Sequence, residues 1–564
     1  MDHAARRARD TQEAYEAQMT AAGQGRAAKV VTRPLPVTRV TIQSSDGGPP
    51  EEHTAQADML AAASGFWKRL LNMQHTPSEE AKRDAESVLA RIKTETEGML
   101  PDYIVGALSA ENIISKDNIK AAVRDLARGS TPGVDRMPLE FYLLHLDRLA
   151  PLLHKLYKQV LERGEMTPEM AKAVLSPIYK NKGSTSDQAM YRPISVTTIA
   201  YRILAKCIAQ RLNKAVRWLI GETQVGFCPG RNLDENVNLV RQVVHDVNHN
   251  RQDAGGMLLM LDNTKAFDRL QHGFMFDTLA AFNLPKGLID AVRTLYNGAQ
   301  TKVKLNGVTG SEFENTSGVR QGCPLSPLLY VLVQEVQLRM IRDDPAIAGI
   351  TIPDPDGNAP PVATRVGQPR ASELRERGLV DDTMVAVRSP EAIPPLLHVL
   401  DRFEAMSNHR MNLSKTVLLL LGKHRDFDVN GDTAAAVALR GRGLKRTYDI
   451  TPGQGDLLPE KWHGVLLGNE TGLAKVWEET AKEAGATAAT LQASSMPHGS
   501  RGRLTVAQGK VMGKALAPLR LTAPHDDATV DRLLGEIQKH ANRLVFGSRN
   551  WLKREAAQQP RECM

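Results

Sequence analysis

Cysteine is scarce in this 564-residue chain, and the little there is does not cluster. Cys207, Cys228, Cys323 and Cys563 lie far apart, with no CxxC and no paired Cys/His spacing. That excludes a zinc-finger site or a disulfide framework and points to a reducing, intracellular setting. No stretch approaches the roughly 20 consecutive apolar residues that a membrane-spanning helix needs, so no membrane partner is expected. Residues 1–29 are rich in Arg, Glu, Gln and Ala and have no apolar h-region, so no secretory leader is expected. Internal repeats and long low-complexity tracts are also absent.

Hydrophobic residues make up 42% of the chain, enough for a sizeable core. At roughly 150 residues per domain, the length allows three or four units. The net charge is +8 and the sequence pI is about 9.2. A basic balance suits a polyanionic partner such as nucleic acid, although a solvated surface produces the same modest excess.

The pattern along the chain is mixed, an α+β texture. Residues 1–64 are expected to be disordered: 43–56 read QSSDGGPPEEHTAQ, polar with Gly and Pro and no apolar period. A helical lead-in is expected over 65–100, with amphipathic helices over 79–99, 111–126 and 141–163. MLLML at 257–261 reads as a buried strand, because Gly255-Gly256 precede it. VKLNG at 303–307 alternates and ends in a hairpin signal. Residues 324–340 read as helix, 353–369 as a loop, and GLVDDTMVAV at 378–387 as strand, turn, strand. Residues 391–406 are helical, 423–460 loose, and 476–544 helix-rich and basic.

Two acidic features carry chemistry. Asp262 ends the MLLML run, and Asp381-Asp382 sit in an apolar hairpin. A carboxylate there is costly to bury unless it is paired, capping a turn or bound to a metal. Asp382 and its neighbour suit an ordinary turn. Asp262 suits an N-cap for the helix that carries Phe267. Together the three suit two Mg²⁺ ions, which prefer oxygen ligands and lean on a few carboxylates plus substrate phosphates. Spacing alone leaves these readings open.

The surrounding segments resemble the polymerase of non-LTR (LINE-type) retrotransposons. TPGVD at 131–135 with Phe141-Tyr142, PIYKNKG at 177–183 with YRPIS at 191–195, and QVGFCPGR at 224–231 follow the family's order. LDNTKAFD at 261–268 and GVRQGCPLSP at 318–327 match its wording, the latter in every position. Val380-Asp381-Asp382, NLSKT at 412–416 and KWHGV at 461–465 complete eight motifs between about 110 and 470.

The resemblance implies an RNA-directed DNA polymerase with a right-hand fold: an antiparallel palm sheet packed by helices, with fingers and thumb. The implied domains are fingers with the start of the palm at 101–255, palm at 256–470, thumb at 471–550 and a tail at 551–564. Asp262, Asp381 and Asp382 would bind two Mg²⁺ ions, or Mn²⁺, and Lys415 would protonate the leaving pyrophosphate. Lys180, Lys182, Arg192 and Lys265 would hold the triphosphate, and Gln321 and Gly322 would meet the nucleotide. Phe267 would exclude the ribose 2′-hydroxyl. Trp462, His463 and Gly464 would grip the primer, and Arg501, Arg503 and Lys510 the duplex backbone. The implied partners are an RNA template, a DNA primer and deoxynucleoside triphosphates, in the nucleus. About 100 residues precede the first motif, too few for the family's endonuclease, so the resemblance implies either a fragment of a longer polymerase or a copy that depends on a separate endonuclease. Leu379 replaces the family's Phe or Tyr, His463 replaces an apolar residue, and residues 373–377 (ELRER) are unusually charged for the approach to a buried strand. Two alternatives follow: a decayed polymerase fold that only binds nucleic acid, and a relative of group II intron maturases.

Overall fold

A computed structural model describes residues 37–42, 50–73, 75–180, 183–249, 254–352, 362–363, 370–371, 373–444, 446–449, 460–462 and 465–467. The chain divides into a unit of Leu35–Asp449 and a second made from its two ends. Of the second unit, only the hairpin of Glu460–Trp462 and Val465–Leu467 is described, closed by the pair Trp462↔Val465.

The first unit opens with helices α1 (Gln56–Leu71) and α2 (Glu79–Thr96). Ser78 caps α2 by accepting from the Ala81 amide, and Glu79 and Glu80 face the positive end of its dipole. Helix α3 (Leu146–Arg163) leads to strands β1 (Lys172–Tyr179) and β2 (Tyr191–Thr197), then to helix α4 (Ile199–Leu219). Strand β3 (Gly255–Leu261) runs into one helical turn, α5 (Ala266–Arg269), and helix α6 (His272–Ala281). Strands β4 (Gln300–Leu305) and β5 (Val308–Glu314) precede helix α7 (Ser326–Asp343). Strands β6 (Glu376–Leu379) and β7 (Asp382–Val387), helix α8 (Ile393–Ser407), and strands β8 (Val417–Gly422) and β9 (Arg446–Asp449) complete it.

Two sheets organise these elements. One has the order β6-β7-β3-β8-β9, antiparallel except for the parallel pair β8/β9. The other has the order β2-β1-β4-β5, with β1 and β4 parallel. The β4/β5 hairpin turns on Asn306 and Gly307, both at positive φ, as a two-residue Asn-Gly turn requires. All seven residues of β3 are buried, which suits a continuous apolar run paired along both edges. Helix α7 is buried on nearly every side, the mark of a central helix. It shares the main core with α4, α6 and α8, while Trp67 of α1 anchors a second core with Leu175, Val303 and Phe313 of the four-stranded sheet.

Several expectations need correction. The boundary at 64 falls inside α1, and Val40–Ile42 pairs with Glu51–His53, so structure begins well before 65. The helix expected over 111–126 is two, Ala110–Ile113 and Lys116–Asp125, because Ser115 caps the second. The one expected over 141–163 is also two, Leu139–Leu144 and α3, broken at His145. The loose stretch at 423–460 contains helix Ala434–Gly441, capped by Thr433, and strand β9. The strand with charged residues is well paired. Glu376 meets Arg342 at 2.7 Å, Glu373 meets Arg375 at 3.1 Å, and Arg388 lies 2.5 Å from Glu373. The helix-rich segment expected at 476–544 and the tail at 551–564 lie outside the described residues.

Candidate active site

Sheet register brings the acidic residues together. In the β3/β7 ladder Leu261 faces Thr383, so the next step sets Asp262 across from Asp382. In β6/β7 the last pair is Leu379↔Asp382, which leaves Val380 and Asp381 as the turn. Val380 has φ 60°, a left-handed position that such turns usually give to glycine and that costs a β-branched residue about 1–3 kcal/mol. The N-cap of α5 is Lys265, itself left-handed at φ 52°, so Asp262 is not the cap of the helix carrying Phe267. The Asp262 carbonyl accepts from the Asn412 amide at 2.7 Å, and its amide donates to Thr416 Oγ1 at 3.4 Å. Lys415 Nζ lies 3.8 Å from Asp262 Oδ2, and Asn263 Nδ2 donates to the Asp381 carbonyl at 2.8 Å. The Asp381 carboxyl is pushed up to about 6, first by burial, then by the charges of Asp382 and Asp262.

The same cleft also carries cations. Lys265 Nζ donates to the carbonyls of Ala189 (3.1 Å) and Tyr191 (3.4 Å) and lies 5.1 Å from the centre of the Trp67 ring. Burial, and next the charge of Lys180, pulls its ammonium down to about 8. Lys180 Nζ also donates to the Ala189 carbonyl, at 3.1 Å. Gln321 Nε2 donates to Oδ1 of the buried Asp268 at 2.8 Å, and Asp268 Oδ2 has no partner. Burial pushes that carboxyl up to about 6, against the pull of Lys265. Gly322 has φ 104°, and a Cβ there would sit 3.2 Å from the Ser195 carbonyl. Phe267 stacks on Tyr330 at 4.5 Å and 9°. The Tyr330 hydroxyl meets His409 Nε2 at 2.8 Å, and burial holds that imidazole neutral, down at about 3.

One cleft of ≈ 770 Å³ gathers Asp262, Asp381, Lys415, Lys180, Arg192, Lys265, Phe267, Gln321 and Gly322. Asp382 is exposed at the start of β7 and is not part of its lining. Trp462 ends a strand of the other unit. Lys182, His463, Gly464, Arg501, Arg503 and Lys510 lie outside the described residues. Asp268, Tyr330, His409 and Gln224 were missed as site residues. Asp268 and Gln224 stand inside quoted motifs, but a motif does not say which atom a side chain holds.

Among the described residues, no three Asp, Glu, His or Cys side chains converge as a metal-binding group. The donors nevertheless suit a hard divalent ion. Two carboxylates line one cleft, and a cation there would offset the burial and the repulsion that raise Asp381.

Residues 179–433 match the family model described as reverse transcriptase (RNA-dependent DNA polymerase). By that match the segment is similar to reverse transcriptases. The relatives it matches are proteins of transposable elements. A transposon TX1 149 kDa protein of Xenopus laevis is 32% identical over 246 residues, 44% of this chain and 18% of that protein. The Pol polyprotein of the type-2 retrotransposable element R2DM of Drosophila melanogaster is 37% identical over 170 residues, 30% of this chain and 15% of that protein. The RNA-directed DNA polymerase of the mobile element jockey, also of Drosophila melanogaster, is 26% identical over 220 residues, 38% of this chain and 24% of that protein. The match to each therefore spans less than a quarter of the relative's length. Every cleft residue named above, from Lys180 to Lys415, falls inside the matched segment.

Proposed function

We propose that this chain is an RNA-directed DNA polymerase that extends a DNA 3′ end on an RNA template. The observation that carries the reading is one cleft lined both by the carboxylates Asp262 and Asp381 and by the cations Lys180, Arg192 and Lys265. Such a cleft suits a polyanionic nucleotide held by metal-binding and cationic groups together.

Asp262 and Asp381, with Asp382 beside them, would hold two Mg²⁺ ions, and Mn²⁺ shares the oxygen preference. Held by these carboxylates, such ions would supply activation of an attacking 3′-hydroxyl and charge neutralisation at a leaving pyrophosphate. Lys180, Arg192 and Lys265 hold the triphosphate. Two of these, Lys180 and Lys265, are already oriented by backbone carbonyls, so little freedom is lost on binding. The triphosphate's charge draws Lys265 back toward full protonation. Gln321 meets the nucleotide while Asp268 fixes its amide, and the bare Gly322 lets the backbone come close. Phe267, held flat against Tyr330, blocks a ribose 2′-hydroxyl. Lys415 passes a proton to the leaving group from its place beside Asp262. On this reading the five-stranded sheet is the palm and the fingers lie before it. The primer grip is at 462–464, and Arg501, Arg503 and Lys510 belong to the thumb.

The test is primer extension with oligo(dT) on poly(rA), dTTP and Mg²⁺. Wild-type extension that Asp262→Ala and Asp381→Ala each lower by at least about 10³-fold supports the reading, a loss of the size seen when transition-state charge stabilisation is removed. Extension that survives either substitution overturns the ligand assignment. An inactive wild type that still binds the primer-template in a salt-sensitive way makes the chain a binding protein only.

A further inference from the structure

We propose that Gln224 is a positioning residue for Asp381, acting through the left-handed turn at Val380; this rests on the polymerase reading above. Asp381 occupies the second position of that turn, so its place depends on whether Val380 stays at φ 60°. A β-branched residue favours leaving that conformation, by about 1–3 kcal/mol. The closing pair Leu379↔Asp382 holds the ends of this two-residue turn, but the strained residue between them needs a hold on its own peptide units.

That hold comes from a segment more than 150 residues earlier in the chain. The Gln224 side chain is fully buried. Its Oε1 accepts from the Val380 amide at 2.9 Å and from the Gly226 amide at 2.9 Å, and its Nε2 points to the Val380 carbonyl at 3.4 Å. One amide group thus brackets the peptide units on both sides of the strained residue. Only an uncharged side chain with both a donor and an acceptor at that reach does this. Around it, the Val225 amide donates to the Gly378 carbonyl at 3.0 Å, and the Gly378 amide to the Thr223 carbonyl at 2.9 Å, so the segment docks along the free edge of β6. The approach is close enough to exclude side chains. A Cβ on Gly226 would lie 2.6 Å from the Val380 nitrogen, and one on Gly378 would lie 2.8 Å from Gln224 Nε2. With Asn263 holding the Asp381 carbonyl at 2.8 Å, the turn is fixed from both flanks. Gln224 does not line the cleft, so its effect on chemistry runs through the turn.

The experiment uses the full chain and three variants: Gln224→Leu, Val380→Gly, and the two combined. Leucine keeps the volume and removes both hydrogen-bonding functions. Two readouts are taken: Mg²⁺ titration of primer extension, and hydrogen exchange at the Val380 amide. Gln224→Leu is expected to lower kcat about 10- to 100-fold, the scale of an ångström misplacement. The half-saturating Mg²⁺ should rise about 10-fold, with KM for dTTP within about 3-fold, and protection of the Val380 amide should be lost. Val380→Gly in the Gln224→Leu background removes the left-handed cost and should return most of the lost kcat. A merely structural glutamine would give lower activity at an unchanged Mg²⁺ requirement with no rescue by glycine, and that result overturns the proposal. So does an unchanged exchange rate at Val380 in Gln224→Leu. An inactive wild type sinks the polymerase reading instead, and the exchange measurement still decides whether the clamp exists.

Discussion

Strands β3 and β6 flank β7 and both end at the acidic residues, yet they are held there by different physics. β3 is Gly-Gly followed by five apolar residues, buried along its whole length. Its attraction to the core is non-directional and scales with area removed from water. β6 is Glu376-Arg377-Gly378-Leu379, and the first three are buried. Its place is set by α7, where Arg342 donates to Glu376 at 2.7 Å and lies 3.4 Å from Glu335. Glu335 also meets Arg339 at 3.1 Å, and Arg339 reaches Glu95 at 3.0 Å and the Leu219 carbonyl at 2.7 Å. This is a directional network built on buried charges. Such networks add little net stability, but they are severe toward the loss of one member. One side of the site is therefore tolerant and the other exacting.

The largest effect should come from breaking the exacting side without changing its shape. Glu335→Gln keeps the volume but removes the charge shared by two buried arginines. It is expected to cost about 3–5 kcal/mol in denaturant unfolding, the usual range for stranding a buried charge. Because β6 leads directly to Val380 and Asp381, polymerase activity should fall in the same variant at temperatures where it is still folded. A cost under about 1 kcal/mol would mean that water reaches the network and that the contrast with β3 is false.

A buried charge that lacks a full set of partners should behave in the opposite way. Asp268 has one oxygen held by Gln321 and the other unpartnered, and burial raises its carboxyl from 3.8 to about 6. The sign follows from proton uptake. Between about pH 4 and 6 the folded chain holds a proton at this site that the unfolded chain has already released. Stability therefore declines as pH rises through that window. Asp268→Asn removes this slope and keeps an oxygen for Gln321. Relative to wild type it should be neutral below about pH 4 and more stable above about pH 6. The gain should be at most about 3 kcal/mol, since each tenfold change in proton affinity is worth about 1.4 kcal/mol. Unfolding measured at pH 4, 5, 6 and 8 checks this, and a constant difference across the series would rule out Asp268 as the titrating group.

The same division explains what was legible in the sequence. β3 and the hairpin of β6 and β7 could be read because apolar runs, turn residues and motif strings are local. The cleft residues between 179 and 433 stood in those strings, and they do meet in one place. The partners of ELRER could not be read, because Arg342 and Glu335 lie about 34 and 41 positions from Glu376 on a helix whose pattern reads as ordinary core. Gln224 was visible as a motif letter, but its reach to Val380 depends on tertiary docking. Helix breaks at Ser115 and His145 were missed because amphipathic spacing carries across an interruption of one or two residues. Ala434–Gly441 was missed because the glycines around it suggested a loop, although its alanines favour helix.

The smallest effect should fall on the tolerant side. Leu259 is fully buried in β3, and Leu259→Met conserves both volume and apolarity. Swaps of this kind usually cost under about 1.5 kcal/mol, because methionine adapts its rotamers to the space available. Asp262 is placed mainly by backbone: β3 pairs with β7 and β8, the Asp262 carbonyl takes the Asn412 amide, and none of these bonds involves the Leu259 side chain. The Mg²⁺ requirement of primer extension in Leu259→Met should therefore stay within about 2-fold of wild type while the melting temperature drops by a few degrees. A rise of about 10-fold, comparable with that expected for Gln224→Leu, would show that side-chain packing also aims Asp262. The two strands would then differ in composition but not in how they hold the site.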